Sequence, residues 1–351
     1  MFTRKYYKLS FLIKFMKFNN YLKVATLVIL GYLSSKNLIS NKERDDGSVP
    51  VTIKELEPNI TKRILFSNYN PKELMEFYGY ALEVTGAGAK IDSLRNNIAS
   101  FAFKKSVDFA RKTASIEEHN DVLNSLNSEQ DKIQDIKKNY GVLIPKELYL
   151  TNFRQENING NLSAGARNLE KMIERITPED ALTIKWGSEV SKIPLNQIIS
   201  IYLNESSLRE YAVSVIGATG TSQQNIRYAD DIYRITTNIG NKLSDCIKAN
   251  TTPETFAHDL VTNRKLNIVV GINHMLYYKD KFNEEEKWVT INNIGLTGTK
   301  VAYKLLPKNS RFYDLLDTAK IRKSAEAYYN KFLKSREIFD ELTITQQGIE
   351  E

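Results

Sequence analysis

The segment SKIPLNQIISIYLNESS, residues 191–207, constrains the fold more than any other stretch of this chain. Pro194 suits a first helical turn, where a missing N–H breaks no intrahelical hydrogen bond. Leu195, Ile198, Ile199, Tyr202 and Leu203 then recur at the offsets of one amphipathic face. If the helix continues, Glu205 projects from that same side, seven residues after Ile198 and three after Tyr202. A carboxyl there is partly desolvated, which penalises its ionised form and raises its pKa. A general acid working near neutral pH needs that shift. If the helix has already ended, Glu205 is a solvated surface residue. Periodicity alone does not choose between the two.

Elsewhere the pattern is also helical. Asn70-Pro71 starts a helix over 70–84, and the TGAGAK stretch breaks it at Gly86 and Gly88. That loop lacks the Gly-Lys-Ser/Thr element and the preceding strand of a phosphate-binding loop. A second helix is predicted over 92–114. A third runs over 120–141, with Leu126, Ile133 and Ile136 on one stripe and Gly141 ending it. No stretch alternates like a strand, and no internal repeat is present, so the expected class is mostly α. The chain divides on this pattern into four segments: a leader at 1–40, a helical extension at 41–180, a second domain at 181–320, and a C-terminal helix and tail at 321–351.

Charge locates the leader. Residues 1–40 carry seven basic side chains and no acidic one; removing them from the 49 Lys and Arg leaves 42, against 42 Asp and Glu. The body is therefore neutral, which removes the electrostatic case for a nucleic-acid partner. The uninterrupted apolar core at 24–33 is shorter than the ~20 residues that span a bilayer, and positive charge precedes it. Export to a bacterial periplasm or cell envelope is the expectation. No A-x-A-like site comes after it, so a cleaved signal and a retained anchor both stay open. The single cysteine, Cys246, rules out an internal disulfide and a thiolate metal cluster, and it reads as a packing residue.

The residues after Glu205 narrow the chemistry. Glu205-Ser206 is succeeded by AVSVIGATGTSQ, which places Ala212, Val213, Ser214, Gly217, Ala218, Gly220 and Gln223 at close spacing. NIVVG then supplies Asn267, Ile268 and Gly271, and INNIG supplies Asn293 and Gly295. These segments, in this order over about residues 190–320, resemble the lytic transglycosylase family. That resemblance implies a lysozyme-like helical domain that cleaves peptidoglycan glycan strands. It also implies Glu205 as the single acid/base and no cofactor or metal. Ser206, Ser214, Gly217, Gly220, Gln223 and Asn293 are the implied saccharide-binding positions. The two glycines suit a tight turn that a sugar approaches closely. Asn293 offers an amide donor and acceptor to the saccharide or to Glu205.

Three departures are visible. Asn292 stands where the family has a Tyr that orients the acid; Tyr277 or Tyr278 is the nearest substitute, and Tyr278 is counted among the substrate-binding residues. His274-Met275 replaces Tyr-Leu, which makes His274 a packing or groove residue. Thr221 and Ser222 replace apolar residues. Asp230, Asp231 and Glu210 read as helix-start or exposed acids rather than a second catalytic carboxylate. Residues 283–288, NEEEKW, read as a helix start with Asn283 as its cap. Two alternatives to a transglycosylase are a scaffold that binds glycan without cleaving it efficiently and a lysozyme-type hydrolase. Residues 41–180 are the candidate surface for an envelope or secretion-machine partner.

Overall fold

Several helices begin where a short polar side chain replaces the missing backbone partner. The computed structural model describes residues 65, 83, 86–139, 164–173, 175–293 and 322–347. Over these the protein is mostly helical. The expected leader at 1–40, the helix at 70–84 apart from residue 83, Gly141 and Gly295 lie outside the described residues. Among the described residues no helix is long and apolar enough to cross a membrane.

In chain order the helices are α1 (Ala87–Arg111), α2 (Ile116–Asn139), α3 (Ala164–Ile173), α4 (Pro178–Ser191), α5 (Leu195–Ser206), α6 (Ala229–Thr237), α7 (Lys242–Asn250), α8 (Phe256–Thr262), α9 (Arg264–Phe282), α10 (285–293) and α11 (Arg322–Gln347). Thr177 caps α4 by accepting from the Asp180 N–H, with Pro178 at the first helical position. Asn241 and Asn263 cap α7 and α9 in the same way. The only ladder among the described residues is one antiparallel pair, β1 (Ala218–Thr219) with β2 (Gln224–Asn225), in register Ala218↔Asn225. Gly88 lies inside α1 rather than in a helix-breaking loop, and Gly86 takes the left-handed conformation at the helix start.

One core joins helices from both sides of the predicted boundary at residue 180, which itself sits in the first turn of α4. Ile91, Ile98 and Phe109 of α1 and Leu126 and Ile133 of α2 belong to the same buried cluster as Ile198 and Tyr202 of α5 and Val269 of α9. The α1–α2 pair is tied directly to the loop after α5. The Ala114 N–H donates to the Val215 carbonyl at 3.2 Å, and His119 Nε2 donates to the Val213 carbonyl at 2.6 Å. Gly217 has φ 81°, and a Cβ there would lie 2.5 Å from the Ser106 carbonyl oxygen. Its missing side chain lets the loop pack on α1, not a sugar on the loop.

Two polar residues, Glu210 and Asn283, sit elsewhere than their local sequence suggests. Glu210 is half-buried, not exposed: Arg264 Nε meets its Oε1 at 2.9 Å, and the same guanidinium reaches Asp180 Oδ2 at 3.4 Å. This cluster ties the starts of α4 and α9 to the loop after α5. Asn283 ends α9, donating its N–H to the Lys279 carbonyl, rather than capping the next helix. Of the acids after it, Glu285 holds α11 in place. Arg336 Nη1 contacts both its carboxylate oxygens at 2.7 Å, Tyr329 donates to it at 3.2 Å, and Gln197 of α5 donates to its Oε2 at 2.5 Å. Asn196 of α5 adds a bond to Asp340 of α11 at 2.7 Å. Glu285→Ala should therefore loosen α11, lowering stability by about 1–2 kcal/mol, the scale of charge-assisted bonds in a partly exposed setting. A thermal melt measures it, and an unchanged midpoint would show that α11 is held by apolar packing alone.

Candidate active site

Glu205 lies in the last turn of α5, so the helix does continue to it. Helix termination comes at once: Ser207 and Leu208 both take positive φ, 54° and 60°. Left-handed backbone costs non-glycine residues roughly 1–2 kcal/mol each, and such strain concentrates where a site needs a fixed geometry. Here Arg175 Nη1 donates to the Ser207 carbonyl at 2.9 Å, and Leu208 is buried. The sharp turn stops α5 with Glu205 facing a cavity of about 840 Å³, near the top of the size range of small-ligand clefts.

Glu205 is half-buried, and its carboxyl has two neutral partners. Tyr328 of α11 donates its hydroxyl to Oε1 at 2.6 Å. Asn293 of α10 forms a second side-chain hydrogen bond. Burial raises the carboxyl pKa to about 7; the bonds from Tyr328 and Asn293 and the charge of Lys331 oppose that rise without cancelling it. The Asn292 amide bonds to the same Tyr328 phenol, whose own pKa is raised by burial and by Glu205. A connected chain therefore runs from Asn292 through Tyr328 to Glu205.

The other expected positions divide into two groups. Ser214, Gln223 and Asn293 line the cavity together with Glu205. Ser214 Oγ accepts from the Ala218 N–H at 2.9 Å, and Gln223 Nε2 donates to the Gly220 carbonyl at 2.9 Å, so each also fixes the loop it stands on. Ser206, Gly217, Gly220 and Tyr278 do not line it. Ser206 is buried and donates to the Thr221 carbonyl at 2.8 Å, clamping the loop to the end of α5. Gly220, with φ 73°, makes room for the Asn267 side chain, which a Cβ would meet at 2.5 Å. Tyr278 is fully buried against the His274 ring, so it substitutes for nothing at Glu205.

The three resembling segments converge on one another. Asn267 is buried on α9 and makes four side-chain bonds, three to the loop and one to α8. Its Nδ2 donates to the Thr219 and Leu260 carbonyls, and its Oδ1 accepts from the Ser222 N–H and Oγ. A Cβ on Gly271 would lie 2.4 Å from Ser222 Cβ and 2.8 Å from the Tyr202 hydroxyl, so only Gly lets α5, α9 and the loop meet there. Ser222 commits its hydroxyl to these internal bonds with Asn267, and Thr221 takes part through its backbone carbonyl, which accepts from Ser206.

Sequence reasoning did not find Tyr328, the residues of α1, or Arg227 and Asn225. Residues 109–113, ending α1, form part of the cavity lining. Asp230 and Asp231 do fall in the first turn of α6; Asp231 lines the cavity and pairs with Arg234 at 2.8 Å. His274 also lines it. Cys246 is half-buried and packed against the core. Among the described residues no group of three or more His, Cys, Asp or Glu converges as a metal cluster would. No protein-family model matches the chain, and neither a curated protein nor a solved structure matches it.

Proposed function

We propose that this protein is a peptidoglycan lytic transglycosylase built on a lysozyme-like helical domain, acting in the bacterial envelope to which its basic, apolar leader directs it. The observation that carries the reading is Glu205: a carboxyl whose pKa burial raises to about 7, bonded by Tyr328 and lining a cavity large enough for a saccharide. The convergence of Glu205, Ser214, Gln223 and Asn293 on one cavity supports it further.

The chemistry needs one acid. Glu205, protonated, donates to the glycosidic oxygen as the bond to N-acetylmuramic acid C1 breaks, and N-acetylglucosamine leaves with that proton on its 4-hydroxyl. The acetamido oxygen of the muramic sugar closes on C1 and carries the developing positive charge, as in substrate-assisted glycosidases. Ionised Glu205 then takes the proton of the 6-hydroxyl while O6 displaces the acetamido oxygen from C1. A 1,6-anhydro ring forms, Glu205 regains its proton, and no water is consumed. Tyr328 and Asn293 suit both halves of this cycle, since each can bond to the carboxylate and remain beside the acid.

A hydrolase reading has one observation behind it, because Asp231 lines the same cavity. Mass spectrometry of the muropeptides released from purified peptidoglycan separates the two. Anhydro ends support the transglycosylase; ends heavier by one water support hydrolysis. Absence of any release by the full chain would leave the glycan-binding scaffold as the surviving reading.

A further inference from the structure

Gln224 fixes the tautomer of His274. Its Nε2 donates to the Ser222 carbonyl at 3.0 Å, which leaves its Oε1 on His274 Nδ1 at 3.0 Å. An amide oxygen only accepts, so Nδ1 carries the ring proton and Nε2 presents a lone pair. That nitrogen is buried and has no hydrogen-bond partner among the described residues, although the ring belongs to the cavity lining. His274 is 8% exposed and packs on Tyr278 at 4.7 Å between ring centroids, so its orientation is set. Burial also lowers its pKa to about 4, which keeps the ring neutral at physiological pH. A second cavity-lining acceptor, Asn204 Oδ1, is likewise buried without a partner, its Nδ2 being turned to the Tyr328 carbonyl at 3.5 Å. Buried acceptors left unpaired favour a ligand that brings donors.

We propose that His274 is a specificity-determining residue of this cavity, its bare Nε2 accepting from the acetamido N–H of an N-acetylated saccharide. The inference rests on the glycan-strand reading of the site and adds which substrate group this wall selects. An amide N–H is neutral and only donates, so it complements a fixed, neutral acceptor. A carboxylate or phosphate, which only accepts, would be rejected there.

The test uses the full chain carrying Glu205→Gln, labelled with ¹⁵N-histidine, and an N-acetylglucosamine hexamer as probe. Only three histidines exist, so the His274 signals are assignable by single substitution. The expected result is an unprotonated Nε2 resonance that moves toward the hydrogen-bonded position as the hexamer binds. A glucose hexamer, with hydroxyls in place of the acetamido groups, is expected to leave it unmoved. His274→Phe, which keeps a ring against Tyr278, should weaken hexamer binding about three- to tenfold by calorimetry, the size of one neutral hydrogen bond. His274→Gln, with an amide oxygen near the position of Nε2, should recover most of that loss. A protonated Nε2, a resonance unmoved while binding heat is evolved, or an equal shift with the glucose hexamer overturns the assignment and leaves the glycan reading standing. No binding heat from the hexamer overturns both.

Discussion

Glu205→Gln is expected to reduce glycan-strand cleavage by about 10²- to 10⁴-fold, the usual contribution of a positioned general acid, while the fold and saccharide binding persist. Gln is nearly isosteric, and its amide oxygen can still accept from Tyr328, but it has no acid proton to give. The parent enzyme should also report the acid through pH. With a carboxyl pKa near 7, kcat/KM should fall roughly tenfold per unit as pH rises beyond that value. Stability offers a readout independent of activity. A carboxyl whose pKa is raised on folding keeps its proton in the folded chain while the unfolded chain loses it. Stability therefore declines as pH climbs from the unfolded value of 4.5 to about 7. The penalty is complete above that window and absent below it. It is at most about 3 kcal/mol, one pKa unit being about 1.4 kcal/mol. Glu205→Gln should thus melt several degrees higher than the parent at pH 8 and alike at pH 4. Full lytic activity in this variant would remove Glu205 from the mechanism, and equal melting temperatures at pH 8 would show that its carboxyl pKa is not raised.

Tyr328→Phe is the second expected loss, about 10- to 100-fold in rate, because the carboxyl would no longer be held in the attacking geometry. Tyr328 is a positioning residue, and its action on Glu205 has a signature that a purely structural role lacks. Its hydroxyl lowers the Glu205 pKa against the effect of burial. Without it the pKa rises further, so the falling limb of the pH–rate profile should shift to higher pH as the maximum rate drops. A variant with reduced rate and an unmoved limb would show that Tyr328 only supports α11.

The helical class, the apolar face of α5 from Leu195 to Leu203 and the buried stripe of Leu126 and Ile133 on α2 were legible in the sequence; whether α5 reaches its acid was not. Each depends on side chains three, four or seven residues apart, a spacing that helix geometry converts directly into a shared face. The roles of Gly217 and Gly220 were not legible. Positive φ could be expected of both, but what each glycine admits is set by α1 and Asn267, which lie far away in sequence. Glu210 failed for the same reason: its local surroundings look exposed, and the side chain is covered by its pairing with Arg264, 54 residues on.

The sequence by itself determined that an amphipathic helix leads up to Glu205 and that a turn rich in glycine and hydrogen-bonding groups follows it; that the helix includes Glu205 came from the structure. Which groups govern its proton was decided only by tertiary structure. Tyr328 lies 123 residues away on a helix with no motif of its own, and it reaches Glu205 because Glu285 and Arg336 seat α11 against α5 and α10. Periodicity encodes which face of a helix loses water; it carries no information about which distant helix covers that face, and hydrogen-bond partners across such a contact are set by packing alone.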